Sequence, residues 1–200
     1  MDQRANKAIS IIPVLLASIV LTQIIYIAKS TYKIEIPSFA IWSVEAVLFL
    51  ALAVSGLVAM LQKGQNALAF AAIAMGAMLN VFQVGMGMTM FTPLSDAGTS
   101  QEAVYGAVVA MAFFLYFSGK LLFGFAAVSV GQRLMRETGS NRIAGLLAIA
   151  SGLIAILVNF GGMAIGMAWL YPAGATGTLA TLILALALNR HTRIALLADR

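Results

Sequence analysis

Long apolar segments alternate with short polar links along the whole chain. A helix needs about 20 apolar residues to cross the hydrocarbon layer of a bilayer, and six segments approach or exceed that length. Their predicted bounds are about 8–28, 38–62, 66–91, 103–132, 142–170 and 172–188. The pattern predicts an all-α fold, a polytopic transmembrane bundle of six helices that forms a single domain over residues 1–200.

The composition supports a membrane protein. Of the 200 residues, 62% are hydrophobic and only 10% are charged, whereas soluble domains are about a quarter charged. The net charge of +5 does not indicate nucleic-acid binding, because the basic residues stand singly at the ends of apolar segments. The lipid bilayer is therefore the first expected partner.

The distribution of basic residues predicts the orientation. Nine of the twelve Lys and Arg residues lie on the links that share a side with the N-terminus, and two lie on the opposite side. Positive charge accumulates on the cytoplasmic side of membrane proteins, so both termini are predicted to be cytoplasmic.

One cation remains inside the fourth apolar segment. Lys120 would cost about 2.5 to 3.5 kcal/mol at the centre of a span, so it should face protein or water. Counting from the cytoplasmic flanks at 1.5 Å per residue places the intramembrane polar residues about 20 to 27 Å deep, in the outer half of the bilayer. These residues are Gln23, Glu45, Asn80, Gln83, Lys120 and Asn159.

Glu45 is the single acidic residue within a predicted span, and its depth is compatible with a pair to Lys120. The polar layer has three interpretations: an ion pair with amides that joins the helices, a ligand cavity open to the outer side, or a proton-coupling site. The ligand-binding interpretation assigns the cavity lining to Glu45, Asn80, Gln83, Tyr116, Lys120 and Asn159.

Methionines form a second cluster in the outer half. Thioethers bind Cu(I), and a copper site would use Met86, Met90, Met163 and Met167. In an α-helix the members of each pair, four residues apart, share a face. The alternative is flexible apolar packing. Gly162 and Gly166 form a GxxxG motif, which predicts close helix contact within the chain or between copies.

Redox and catalytic chemistry have little support. The chain contains no cysteine and one histidine, His191, beyond the last predicted span, which excludes thiolate metal sites and iron–sulfur clusters. The spans hold no recognisable nucleophile, metal set or acid pair, so we expect a protein that is not an enzyme and has no cofactor. A retinal-type Schiff base on Lys120 has no support beyond a buried lysine and its counter-ion.

Three short motifs stand out in the third to fifth segments. They are the pair Leu79–Asn80 in the third, a charged residue followed by LLFG in the fourth, and the run R-I-x-G-L-L-x-I-x-x-G from Arg142 in the fifth. With these motifs the chain resembles a family of bacterial membrane proteins. The family consists of uncharacterised six-span integral proteins, and its members tend to have an acidic residue at the position of Lys120. The resemblance implies six spans and a bacterial inner (cytoplasmic) membrane, and no chemistry.

These observations favour an integral inner-membrane protein that binds or passes a small ligand in a polar cavity in the outer half of the bilayer. Two alternatives remain open. One is an accessory or assembly subunit whose small-residue faces dock on membrane protein partners or on a second copy. The other is a Cu(I)-handling protein that uses the outer methionines.

Overall fold

A computed structural model of the chain describes residues 3–61 and 66–198, and the side chains of residues 9–61 and 66–190. The described residues form helices joined by short turns and links, and contain no strand. The main helices are α1 (Gln3–Tyr32), α2 (Ser38–Met60), α3 (Ala67–Met86), α4 (Thr92–Asp96), α5 (Glu102–Leu134), α6 (Ser140–Ile165) and α7 (Leu170–Ala198). The predicted link at 63–65 lies outside the described residues, as do the side chains of the flanking residues Arg4, Lys7 and His191.

Five stretches of the described chain are long and apolar enough to cross a membrane. They are Ile9–Tyr32, Ser38–Met60, Ala67–Asp96, Gly98–Leu134 and Ser140–Arg190. The apolar-segment pattern thus finds the membrane-type helices, and the first four stretches match the first four predicted spans apart from their ends.

The fifth stretch contains a chain reversal. It is 51 residues long, and at Gly166 the backbone adopts φ 80°, a conformation that favours glycine. A short 3₁₀ turn, Gly166–Trp169, then leads into α7, which packs back along α6. The reversal comes earlier than predicted, so Trp169 and Tyr171 lie after it. In the GxxxG motif, Gly162 packs on the ring of Phe117, whereas Gly166 makes the turn, and a Cβ added to Gly166 would meet no atom within 4 Å.

The helices form a ring with one helix outside it. α1 packs on α2, α2 on α3, α3 on α5, α5 on α7 and α7 on α1. α6 lies outside this ring, against α5 and α7. Within the described part, α2 and α5 do not pack on each other, because α1, α3 and α7 separate them.

Large apolar side chains fill the half of the ring in which α1 begins. Ile12, Leu16, Phe49, Phe70 and Phe123 are buried there in one continuous core. The outward faces of the same helices are apolar and exposed, as in Val14, Val47 and Leu157. Helices that are apolar on both the core-facing and the outward-facing side are expected in a bundle that is surrounded by lipid.

Glycines set the contact between α5 and α6. Gly124 faces Gly152 and Gly131 faces Gly145, two pairs seven residues apart on each antiparallel helix. A Cβ on Gly152 would lie 2.5 Å from the carbonyl oxygen of Gly124, and one on Gly131 would lie 2.7 Å from that of Gly145. The two backbones therefore approach more closely than any larger residue would allow.

Short turns precede α5 and α6. Gly98–Gln101 is a 3₁₀ turn, and Gln101, at the N-cap of α5, makes no side-chain capping bond. α6 begins at Ser140, and Gly139 before it has φ 60°, a conformation that favours glycine.

The close contact between α5 and α6 gives a first prediction. Gly152→Ala should lower the free energy of unfolding by about 1–3 kcal/mol, because its methyl group meets a backbone oxygen that cannot move aside. The measurement is a denaturant titration of the purified protein in detergent micelles. Gly85→Ala is the matched control, since no atom lies within 4 Å of its added Cβ. It should be neutral or stabilising by up to about 1 kcal/mol. Equal effects of the two substitutions would contradict the packing.

Candidate functional site

Lys120 lies inside the helix ring with no exposed surface. Its Nζ donates a hydrogen bond of 2.8 Å to Oε1 of Gln23 on α1. The rings of Tyr116 and Phe123 flank the ammonium at 5.5 and 5.9 Å from their centroids, within cation–π distance. The expectation that this cation faces protein instead of lipid is therefore met.

A glycine on α7 leaves room for the stem of Lys120. A Cβ at Gly177 would lie 2.8 Å from both Cβ and Cγ of the lysine. Because any larger residue would collide with the stem, α7 fixes the path of the side chain towards α1.

Gln23 joins three helices through one carbonyl oxygen. Besides Lys120 of α5, the oxygen accepts a hydrogen bond of 2.9 Å from Oγ1 of Thr178 on α7. An amide oxygen has two lone pairs, so both donors are accommodated. The hydroxyl of Tyr116 interacts with the same threonine.

Glu45 lies on α2 and is 7% exposed. Its Oε1 is 2.9 Å from Oγ1 of Thr22, the residue before Gln23 on α1. That hydroxyl is also 2.8 Å from the carbonyl oxygen of Ile19, and its single hydrogen serves one acceptor at a time. The carboxylate is thus connected to α1.

The expected direct pair between Lys120 and Glu45 does not form within the described residues. The two groups still interact electrostatically. However, the ammonium is hydrogen-bonded to Gln23, and the carboxylate is hydrogen-bonded to Thr22. The reason is the helix order, since α1 and α7 lie between α2 and α5 on one side of the ring and α3 on the other. The result is a buried polar cluster, defined here as Thr22, Gln23, Glu45, Lys120 and Thr178.

Two predicted site residues are buried outside this cluster. Nδ2 of Asn80 bonds the carbonyl oxygen of Gly76 in its own helix, at 2.8 Å. Nδ2 of Asn159 reaches the carbonyl oxygens of Ala155 and Ala173 at 2.9 and 3.3 Å, which ties α6 to α7. In the described part of the chain the Oδ1 atoms of both asparagines have no partner. Gln83 is half-buried on α3.

An open cleft of about 460 Å³ lies at the end of the bundle where α1 ends and α2 begins. Its ten lining residues come from α1, α2, the π-helical turn Gly87–Phe91, α4, α5 and the 3₁₀ turn after α6. They are Tyr26, Trp42, Phe91, Thr92, Ser95, Asp96, Tyr105, Val109, Phe113 and Met167.

The cleft lies directly above the polar cluster. Tyr26 is one helical turn beyond Thr22 on α1, and Trp42 is about one turn before Glu45 on α2. Phe113 is about 10 Å along α5 from Lys120 by the helical rise. None of the six predicted ligand-binding residues lines the cleft, and their role in binding a ligand remains a prediction.

One of the two predicted copper pairs loses the shared helix face on which the prediction relied. Met163 lies in α6, whereas Met167 follows the reversal at Gly166 and lines the cleft. Met86 ends α3, and Met90 lies in the π-helical turn that continues it. Copper binding itself remains a prediction.

Sequence reasoning missed the residues that organise this region. Gln23 was placed in the polar layer by depth but not selected for the site, and nothing singled out Thr22 or Thr178. Depth alone is sufficient reason to include Gln23 in the predicted site, because its distance from the cytoplasmic flank is similar to the distances of Lys120 and Glu45. No local signal identifies the aromatic lining, since the rings come from separate helices.

A second prediction concerns the bond between Lys120 and Gln23. Gln23→Leu should destabilise the fold by about 3 kcal/mol, because it leaves a buried ammonium without its acceptor. The double variant Lys120→Met/Gln23→Leu should recover part of that loss, with a coupling energy of about 1–3 kcal/mol in a double-mutant cycle of unfolding in micelles. Gln83→Leu, at a half-buried amide on α3, is the control and should change the stability by about 0.5 kcal/mol or less. Strictly additive single effects would show that the bond is absent.

Comparison of the chain with protein-family models, with curated proteins and with solved structures finds no match. The family resemblance carried by the fourth and fifth segments therefore remains a prediction. The functional argument rests on the helix ring, the buried polar cluster and the cleft above it.

Proposed function

We propose that this protein is a non-enzymatic membrane protein that crosses a bacterial inner membrane six times, with both termini in the cytoplasm. Five apolar stretches support the membrane assignment, and the reversal at Gly166 divides the last of them into two packed helices. The excess of basic residues on one side supports the orientation. In this arrangement the cleft opens to the outer side.

The proposed activity is the binding of a small ligand in that cleft. One observation carries the proposal: a cleft of about 460 Å³ lies above a polar cluster in which each charged group is hydrogen-bonded to a residue of α1. Ligand sites are typically concavities of about 300–1,000 Å³ with an apolar wall and a few polar groups. The cleft has both the size and the composition.

The polar cluster lies at the base of the cleft and supports the helices that form it. Lys120 has no exposed surface, so it does not contact the ligand directly; it fixes α1, α5 and α7 against each other below the cleft. The predicted outer-half cavity is accordingly shifted outwards by one to two helical turns, from Lys120 to the aromatic residues above it.

The proposed topology can be tested with thiol labelling, because the chain contains no cysteine. A membrane-impermeant maleimide should label Ser95→Cys, in the cleft, on intact cells. It should label Ser140→Cys, at the start of α6, only after permeabilisation. Ser151→Cys, which is buried, is the negative control. Labelling of both surface positions from outside, or reversed labelling, would contradict the orientation.

Ligand binding can be tested by filling the cleft. The protein, reconstituted in nanodiscs and exposed to the small-molecule fraction of a cell extract, should show a bound mass by native mass spectrometry. Val109→Trp should abolish it, because the indole ring occupies the cleft. Val104→Trp places the same ring on an exposed position of α5 outside the cleft and should leave the bound mass unchanged. A bound mass insensitive to Val109→Trp would show that the ligand lies elsewhere.

A further inference from the structure

Aromatic rings form a continuous wall across the cleft. Tyr26 stacks on Trp42 with ring centroids 6.1 Å apart, and Trp42 meets the edge of Phe91 at 5.9 Å. Phe91 in turn meets Tyr105 at 6.1 Å. Four rings from α1, α2, the π-helical turn and α5 thus line one space, and aromatic rings attract cations.

The charged lining of the cleft has one sign. Asp96, at the end of α4, is the single charged residue among the ten that line it. Its side chain is exposed, and among the described residues no hydrogen bond or ion pair occupies its carboxylate. The hydroxyls of Thr92 and Ser95 lie on the same short helix. A carboxylate beside an aromatic wall is complementary to a positive charge on an apolar body.

The charges below the cleft do not reverse this preference. Lys120 lies deeper, with its ammonium bonded to Gln23 and covered by the ring of Tyr116. Glu45 is closer to the wall, about one helical turn from Trp42, and offsets the lysine electrostatically. The carboxylate of Asp96 therefore sets the sign of the charge that the cleft attracts.

We infer that the ligand of this cleft is an organic cation, an amine or quaternary ammonium compound with an apolar substituent. The inference rests on the proposed function, because it names the chemical class of the small ligand. The ammonium lies against the four-ring wall and near Asp96, and the apolar substituent contacts Val109, Phe113 and Met167. No bond is made or broken.

The test compares two molecules of one shape. Benzyltrimethylammonium carries a positive charge, and neopentylbenzene is its neutral carbon isostere. Both are titrated by calorimetry into the protein in nanodiscs, with empty nanodiscs subtracted. The cation should bind at least about tenfold more tightly than the isostere, as expected for a cation–π and carboxylate site. Equal binding of the two molecules would overturn the inference, and so would the absence of cation binding.

Asp96→Asn tests the carboxylate at constant shape. It should weaken binding of the cation by about five- to tenfold and leave the isostere unchanged. Glu102→Gln, a neighbouring exposed acid outside the lining, is the control and should change neither affinity. No effect of Asp96→Asn on the cation would overturn the inference. If both molecules bind equally and Val109→Trp abolishes both, the cleft is a ligand site without charge selectivity, so the proposed function stands and the cation inference fails.

Discussion

The side-chain carbonyl oxygen of Gln23 provides the hydrogen-bond acceptor that the buried ammonium of Lys120 requires. A lysine in the middle of a lipid-spanning helix is unfavourable unless its ammonium has a partner. Here Oε1 of Gln23 provides that partner and also accepts a bond from Thr178, so one group joins α1, α5 and α7. The helices that enclose the polar cluster are the same ones that isolate it from lipid.

The ring arrangement explains why the charges are bridged and not paired. In the part of the chain that the structure describes, α2, which carries Glu45, does not pack on α5, which carries Lys120. α1 carries Thr22 and Gln23 at consecutive positions, and each of them bonds one of the two charges. Consecutive helix residues are about 100° apart around the axis, so a neighbouring threonine and glutamine can serve two different helices. The same spacing gives each charge a hydrogen-bond partner on α1.

The sequence predicts the helices well and their contacts poorly. Apolar length locates the six long helices, α1 to α3 and α5 to α7, apart from their ends, because hydrophobicity is a local property. The depth count brings Gln23, Glu45 and Lys120 to one level for the same reason. Which helix lies between which others depends on packing that no single segment encodes, so the Lys120–Glu45 pair was wrong. The aromatic wall escaped prediction for that reason too, because Tyr26, Trp42, Phe91 and Tyr105 are distant in the chain.

The π-helical turn at Gly87–Phe91 limits the insertions and deletions that this region can accept. The wider turn alters the angular position of every later residue relative to α3, and it brings Phe91 between Trp42 and Tyr105. Loss of one residue here would return the segment to regular α-helix and rotate Phe91 by about 100° away from its neighbours. The length of this segment, more than its side-chain chemistry, is thus under structural constraint: conservative exchanges can be absorbed, whereas single-residue insertions and deletions cannot.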